Sequence, residues 1–368
     1  MNRPLDKLVP IPADIATPWD YHPYARDRVT PGAWAYLEGG AADELTMRRN
    51  AEALADLLLC QRLFVNVSKG HTRLELFGRQ LDYPVLLGPV ANLGLAHPEG
   101  DLAAATAAAA MRTVMVASTQ ANAAVEDMAG VGGPLWFQLY IQPDRDFTVK
   151  LVQRAEAAGC EALVVTADAP ISGLRNREQK AGFALPPELA PVNLRHLRSP
   201  TVHNSPPGQA PLFGSALLAH APGWRDLEWL RTLTDLPILL KGVMAAEDAL
   251  RALDAGVDGI IVSNHGGRVL DGQPATIEML PAIAKAIDGR VPVLCDGGIR
   301  RGSDVLKTLA LGADAVLIGR AYVYALAAAG APGVAHVLHL LRAELEATMV
   351  LTGCATLPAI SADIIQRY

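Results

Sequence analysis

Two glycine-rich segments in the last quarter of the chain carry arginines in positions suited to an anion. The segment CDGGIRRG spans residues 295–302, and IGR spans residues 318–320. Glycines allow backbone N–H groups to approach a phosphate, while Arg300 and Arg320 can supply charge and bidentate hydrogen bonds. A plain glycine turn with solvated arginines is the alternative interpretation. We favour a phosphorylated ligand at this place.

A third glycine-rich segment, SNHGGRVLDG, carries a histidine next to an arginine. His265 and Arg268 both lie in this turn, and Asp168 could hold the imidazole and raise its basicity. Arg175, in ISGLRNRE, follows Asp168 by seven residues. Two guanidinium groups that converge on one cavity indicate a carboxylate substrate, because their planar geometry matches that group. A structural histidine and a surface salt bridge of Arg175 are the alternatives.

Lys241 follows four apolar residues in the segment PILLKG. A lysine placed in this way is predicted to be buried, and a buried cation needs an anionic partner. The reduced ring of a flavin, whose negative charge centres near N1, would be such a partner. A substrate-binding lysine and a Schiff-base lysine remain open alternatives from this residue alone.

Eight short apolar runs alternate with helix-like stretches and predict the elements that position these residues. Continuous apolar strands that alternate with helices indicate parallel strands buried on both faces, and eight such units close a (β/α)₈ TIM barrel. The predicted strands span residues 84–90, 113–117, 135–140, 162–166, 237–241, 259–263, 292–296 and 315–318. Polar residues end nearly every strand, where barrels of this kind build their sites. These are Ser118, Gln138, Tyr140, Thr166, Asp168, Lys241, Ser263, His265 and Asp296.

The whole chain, 1–368, is predicted to be one α/β domain. Residues 1–83 are expected to form an N-terminal helical cover, residues 84–330 the barrel, and residues 331–368 C-terminal helices. A long stretch after the fourth strand, about residues 171–223, is rich in Pro, Ser, Asn and Gly at its centre. Such a loop is usually a lid or a disordered segment, and we favour a lid at the barrel mouth.

Composition excludes several classes of function. The net charge is −6, and no basic stripe suited to nucleic acid or to a membrane surface is present. The four cysteines lie far apart without the spacing of metal ligands, so we expect no metal site and a reducing compartment. The N-terminal segment has no apolar core of a secretory signal, and we expect a cytoplasmic protein.

These segments together resemble the FMN-dependent 2-hydroxy acid oxidase and dehydrogenase family, which includes glycolate oxidase, lactate oxidase and mandelate dehydrogenase. The resemblance runs from YLEGGAADELT at residues 36–46 to LTGC at residues 351–354. SNHGGR is its most specific motif, supported by LLKGV before it and CDGGIRRG after it. WFQLY and TADAPISGLRNRE are most similar to the bacterial lactate oxidase branch.

The resemblance implies a role for each site residue. His265 would be the active-site base, paired with Asp168, while Arg175 and Arg268 would hold the substrate carboxylate. Tyr36 and Tyr140 would bind the carboxylate and hydroxyl of the substrate. The implied cofactor is FMN rather than FAD, since one phosphate site is visible and no dinucleotide-binding G-x-G-x-x-G fold is present. The implied cofactor-binding residues are Pro89, Val90, Ala91, Ser118, Gln138, Thr166, Lys241, Ser263, Asp296, Gly298, Arg300, Gly319 and Arg320.

The implied reaction is oxidation of a small (S)-2-hydroxy acid to the 2-oxo acid, with O2 as acceptor and H2O2 as product. Ala91 matches the oxidase members, whereas dehydrogenases of the family tend to have glycine there. Gln120 and Ser172 occupy pocket positions that leave the substrate side chain undefined. The alternatives are a dehydrogenase that passes electrons to a quinone or carrier and a non-redox FMN isomerase. Members of the family commonly form tetramers, so a homotetramer is expected.

Overall fold

The computed structural model describes residues 5–197, 210 and 212–367. Its strands are β1 (Leu57–Leu59), β2 (Leu74–Leu76), β3 (Arg79–Leu81), β4 (Val85–Leu87), β5 (Met115–Ser118), β6 (Leu135–Leu139), β7 (Leu163–Thr166), β8 (Ile238–Val243), β9 (Gly259–Val262), β10 (Val293–Cys295), β11 (Ala315–Ile318) and β12 (Ile365–Arg367). Its helices are α1 (Tyr21–Arg26), α2 (Pro31–Glu38), α3 (Leu45–Ala55), α4 (Gly100–Ala110), α5 (Val125–Ala129), α6 (Arg145–Ala157), α7 (Asn176–Lys180), α8 (Ala216–Ala219), α9 (Trp224–Arg231), α10 (Ala246–Asp254), α11 (Thr276–Ile287), α12 (Gly302–Ala310) and α13 (Arg320–Thr352).

Strands β4 to β11 form a closed parallel barrel in chain order, which confirms the predicted (β/α)₈ fold. Each of the eight predicted runs overlaps one barrel strand, and only β5 and β8 extend beyond their runs, to Ser118 and Val243. Because successive side chains of a strand point to opposite faces, every second residue faces the barrel interior. One buried apolar side chain from each strand joins this inner cluster: Leu86, Val116, Trp136, Val164, Leu239, Ile261, Leu294 and Leu317.

A β-hairpin of β2 and β3 closes the end of the barrel where the strands begin. Leu76 and Leu81 of the hairpin belong to the inner cluster, and the Phe77 ring lies 5.6 Å from that of Trp136 between centroids. Its turn residues, Phe77 and Gly78, both have positive φ (48° and 77°), as a tight two-residue hairpin turn requires. The first 83 residues were expected to be helical, so this hairpin corrects that expectation for their second half.

The first half of the N-terminal region is helical, with α1, α2 and α3 in residues 21–55. After α3, β1 pairs antiparallel with β12, so that the two ends of the chain meet in one small sheet. The C-terminal helix α13 is interrupted at Gly330, where φ is 63° and ψ is −148°. The predicted boundary between barrel and C-terminal helices, residues 330 and 331, falls at this break.

Helix α13 is long and apolar enough to span a bilayer, but 67% of its most apolar stretch is buried within the fold. It packs against α4, α12 and α1. The predicted lid, residues 171–223, contains α7 and α8 at its two ends. Most of its Pro-rich centre lies outside the described residues, so the lid remains a prediction.

Candidate active site

A single cavity of about 1220 Å³ opens where the barrel strands end. The next inward-facing position of each strand, two residues after the apolar interior residue, lies at this mouth or directly beneath it. These residues are Gly88, Ser118, Gln138, Thr166, Lys241, Ser263, Asp296 and Gly319. All of the residues predicted for cofactor and substrate line the cavity, with the exception of Ser263.

Ser263 is fully buried beneath Lys241 rather than on the cavity surface. Its hydroxyl accepts hydrogen bonds from Lys241 Nζ at 2.7 Å and from the backbone N–H of His265 at 3.1 Å. Both acceptor directions are therefore occupied by protein donors. Ser263 thus supports two residues that line the cavity, and its predicted contact with the cofactor stays a prediction.

Lys241 is a buried cation with built-in counter-charges. Its ammonium lies 3.0 Å from Asp296 Oδ2. Burial alone would lower the pKa of Lys241, but the negative charges of Asp296 and Asp168 outweigh it and raise the pKa. Lys241 is therefore charged at neutral pH and presents a fixed positive charge to the interior of the mouth.

The two acid–base residues follow β7 and β9, and they meet across the end of β8, which lies between these strands. His265 Nδ1 donates to Asp168 Oδ1 at 3.0 Å, and the His265 side chain is 23% exposed. Burial lowers the pKa of His265, against the opposing effect of Asp168. Burial would raise the pKa of Asp168, but the hydrogen bond and charge of His265 together with Lys241 lower it. The pair is a carboxylate beside a neutral imidazole whose Nε2 is free to accept a proton.

Gly242 is the reason that Asp168 can lie close to strand β8. A Cβ atom at Gly242 would stand 2.5 Å from the Cβ of Asp168, and the backbone there has φ of 106°. Any side chain would therefore displace the aspartate that holds His265.

Two arginines lie together at the outer side of His265, with a glutamate between them. Arg175 Nη1 and Arg268 Nη2 are each 3.9 Å from Glu178 Oε1. Nε and Nη1 of Arg175 and Oε1 of Glu178 are buried without a hydrogen-bond partner in the described part of the chain. Burial and the charge of Arg268 lower the pKa of Arg175 to about 10, so the Arg175 guanidinium stays charged at neutral pH. This cluster has unused donors for an anion.

Two tyrosines face the same cluster. The Tyr36 ring lies 5.3 Å under the Arg268 guanidinium, and its hydroxyl accepts from Asn92 Nδ2 at 3.0 Å. Burial raises the pKa of Tyr140, so its hydroxyl remains protonated and can act as a donor.

The predicted phosphate end of the cavity is formed by the loops after β10 and β11. Arg300 stacks on the Trp19 ring at 3.7 Å, while its backbone N–H is held by Asp304 Oδ2 at 3.0 Å. Arg320 donates to the backbone carbonyls of Glu38, Gly39 and Gly266. These three bonds tie the end of α2 to the His265 turn. Arg320 thus supplies charge to this end, with much of its donor capacity already used by the protein.

The comparisons with known proteins agree with this geometry. Residues 25–367 match the model of a family described as FMN-dependent dehydrogenase. The chain belongs to this family. It is 46% identical to an L-lactate oxidase of Alicycliphilus denitrificans, over 96% of this chain and 97% of the relative. It is 42% identical to a glycolate oxidase of Zea mays, over 95% of both. A crystal structure of mandelate oxidase with (S)-2-phenylpropionate has a TM-score of 0.86 at 41% identity, covering 96% of this chain and 98% of that one.

FMN is the cofactor of this family, and the mouth residues fit its ring. Gln138 Nε2 and Asp296 Oδ1 are buried polar atoms that lack a hydrogen-bond partner in the described residues. An unpaired buried polar atom is costly, and both residues line the cavity, where a ring with polar edges would satisfy them. Gln138, Lys241 and Asp296 would hold the flavin ring, and Arg300 would help to hold its phosphate.

Some of the site residues were not predicted from the sequence. The sequence predicts no role for Glu178, since the direction of its side chain depends on how α7 packs. Asn264 and Asn50 exchange two amide hydrogen bonds of 2.9 Å beneath the His265 turn. The asparagine in SNHGGR offered a signal for that anchor, but its partner, 214 residues earlier, could not be read from spacing.

Proposed function

We propose that the protein oxidises a small (S)-2-hydroxy acid to the 2-oxo acid, with FMN as the electron acceptor and O2 as the oxidant that regenerates it. The observation that carries the proposal is the His265–Asp168 pair beside Arg175 and Arg268 in one cavity. This arrangement combines a base with a carboxylate clamp. The names of the relatives, L-lactate oxidase and glycolate oxidase, support the same reaction class.

The clamp would orient the substrate. Arg175 and Arg268 would bind its carboxylate, and the protonated hydroxyl of Tyr140 would donate to it. Nε2 of His265 would accept the proton that the substrate loses first, and Asp168 would stabilise the imidazolium that results. When bound, FMN would accept the two electrons of the C–H bond and pass them to O2, which takes up two protons to give H2O2. Electrons and protons balance, since the hydroxy acid loses two of each.

The titration of His265 predicts a pH dependence. Because burial lowers its pKa, the neutral form needed to accept a proton is present at neutral pH. Activity should fall only as the pH drops through that lowered pKa, when Nε2 becomes protonated.

The preference for O2 rests on Ala91, which lines the cavity, and on relatives named as oxidases. Anaerobic mixing with glycolate, with lactate and mandelate in both enantiomers, and with polar 2-hydroxy acids tests the reaction and identifies the side chain accepted. We expect the yellow flavin to bleach with (S) enantiomers and to recover in air with one H2O2 per turnover. No bleaching with any of these acids would overturn the proposal. Slow recovery in air but fast recovery with a quinone would favour the dehydrogenase alternative.

We also propose a cytoplasmic homotetramer. The absence of a disulfide among the four cysteines supports a reducing compartment. An exposed apolar cluster at Leu63 (70% exposed) and Phe64 (105%), close to Leu351 (58%), supports contact with another subunit. Light scattering of the purified protein would test the assembly.

A further inference from the structure

Tyr324 lies one helical turn after Arg320, at the start of α13. Residues four positions apart share one face of a helix, and helical side chains lean toward the helix N-terminus. The Tyr324 side chain therefore extends back toward Gly319 and Arg320. It lines the same cavity as they do.

The hydroxyl of Tyr324 makes no hydrogen bond with the described residues of the protein. The residue is 1% exposed, and its oxygen is buried without a hydrogen-bond partner in the part of the chain that the structure describes. Burial raises the pKa of Tyr324 to about 12, so the hydroxyl keeps its proton. A buried donor of this kind costs about 1–3 kcal/mol if it stays unpaired. Something that enters the cavity must accept its hydrogen bond.

The ring of Tyr324 is held in place from the N-terminal cover. Trp19 meets it edge-on at 5.3 Å, His22 edge-on at 5.2 Å, and Trp34 at 5.4 Å between ring centroids. The Arg300 guanidinium also lies over the Trp19 ring, 3.7 Å from its centroid. The direction of the tyrosine is therefore fixed before any ligand binds.

The charge around the hydroxyl selects an anion. Arg300 and Arg320 both act electrostatically on Tyr324, and Glu38 is the opposing negative group. Glu38 is already engaged by His22 and Arg177. The two arginines thus leave net positive charge at a buried donor, which suits a phosphate.

We propose that Tyr324 donates a hydrogen bond to the phosphate of FMN, and that the aromatic cluster of Trp19, His22 and Trp34 holds it in position to do so. The N-terminal cover would then form one wall of the cofactor site as well as covering the barrel. A water molecule is the other acceptor that could satisfy the hydroxyl, and the two possibilities differ in what they predict for binding.

The test is Tyr324→Phe, which removes one oxygen and leaves the ring in its cluster. The dissociation constants of FMN and of riboflavin, which lacks the phosphate, are measured by flavin fluorescence on dilution of the FMN-loaded and riboflavin-loaded protein. We expect the FMN constant to rise about ten- to a hundredfold, as for loss of a hydrogen bond to a charged group. The riboflavin constant should stay within about twofold.

Tyr83→Phe is the matched control. Tyr83 is equally buried, but its hydroxyl donates to the Met111 carbonyl at 3.0 Å outside the cavity. This variant should change neither constant. The phosphorus NMR resonance of bound FMN should shift in Tyr324→Phe and not in Tyr83→Phe. Equal weakening of FMN and riboflavin, or no weakening of either, would overturn the proposal and leave water as the partner of Tyr324.

Discussion

The two ends of the cavity differ in how far the protein has already paired its own cationic groups. At the cofactor end, Lys241 is paired with Asp296 and Ser263, and Arg320 donates to three carbonyls. At the substrate end, Arg175 keeps two buried nitrogens without partners, and Glu178 Oε1 is in the same condition. The cations of the cofactor end are held by internal bonds, and the unpaired atoms there belong to Gln138, Asp296 and Tyr324, whereas Arg175 at the substrate end keeps unpaired donors for an anion.

The difference follows from the secondary-structure elements on which the residues of each end lie. Gln138 and Lys241 stand on barrel strands and Asp296 directly follows one, so the ladder of hydrogen bonds between strands fixes their direction. Arg175 and Glu178 stand on the loop and short helix after β7, where Leu174 is 74% exposed. We therefore expect substitutions at the cofactor end to change stability and FMN binding. Substitutions at the substrate end should change turnover and leave stability nearly unaltered.

His265→Gln should give the largest change in rate, because it removes the base that stands between the two ends. A positioned base contributes roughly 10²–10⁴-fold, so anaerobic reduction of the flavin should slow by about that factor while FMN stays bound. Stopped-flow absorbance measures the reduction. His339→Gln, an exposed histidine on α13, is the control and should behave as the wild type. A rate within tenfold of wild type would remove His265 from the chemistry.

Lys241→Met should give the largest change in stability. It leaves Asp296 as a buried charge without its partner, and breaking such a pair costs about 3–5 kcal/mol. Urea denaturation should show that loss in the free energy of unfolding, together with weaker FMN binding. Adding Asp296→Asn should restore part of the stability but not the flavin reduction rate. Lys285→Met, at an exposed position of α11, should be neutral. A stable Lys241→Met protein would contradict the view that this end is held by its internal bonds.

Arg175→Lys tests the substrate end of the cavity. Lysine cannot reproduce the planar fork of arginine, and a hydrogen bond to a charged group contributes about 1.5–3 kcal/mol, so kcat/KM for 2-hydroxy acids should fall roughly ten- to a hundredfold. The free energy of unfolding should stay unchanged, unlike in Lys241→Met. The methyl ester of the substrate should be a poor substrate of the wild type and be less affected. Arg195→Lys, at an exposed position of the same loop, is the control. Equal activity on acid and ester would contradict a carboxylate clamp.

The same contrast explains which parts could be predicted from the sequence. The barrel strands can be recognised in the sequence as apolar runs. The alternation of side chains along each strand then predicts that Gln138, Lys241 and Asp296 point into the mouth. His265 and Asp168 follow because both stand directly after strands. For these residues, the position relative to a strand in the sequence is enough to predict their position in the site.

Residues on helices and loops were harder to predict, because their direction depends on packing. Tyr324 and Glu178 lie on α13 and α7, and nothing in their spacing states which face meets the cavity. The hairpin of β2 and β3 was missed because its strands have three residues each, too few to show a period. The burial of Ser263 could not be predicted for a related reason, since alternation gives its direction but not the depth at which Lys241 covers it.

Glu178→Gln should give the smallest effect and is the sharpest test of the substrate end. Glu178 Oε1 lies 3.9 Å from both arginines, in the place where a substrate carboxylate would compete for them. Removing the negative charge should tighten binding of a 2-oxo acid, which oxidised FMN cannot oxidise, by roughly two- to tenfold, or about 0.4–1.4 kcal/mol. Tighter binding in this variant would show that Glu178 competes with the substrate carboxylate for the two arginines and does not hold them in place.

The pH dependence of the same binding decides between these two roles. Burial raises the pKa of Glu178, against the opposing charges of Arg175 and Arg268. Its negative charge is therefore lost as the pH falls through that raised pKa, and the wild type should bind the 2-oxo acid more tightly at the acidic side of this range. In Glu178→Gln that dependence should disappear, whereas Glu188→Gln, at an exposed position of the same loop, should retain it. Weaker binding in Glu178→Gln at every pH would mean that the glutamate holds the arginines in place, and the substrate end would then be as preorganised as the cofactor end.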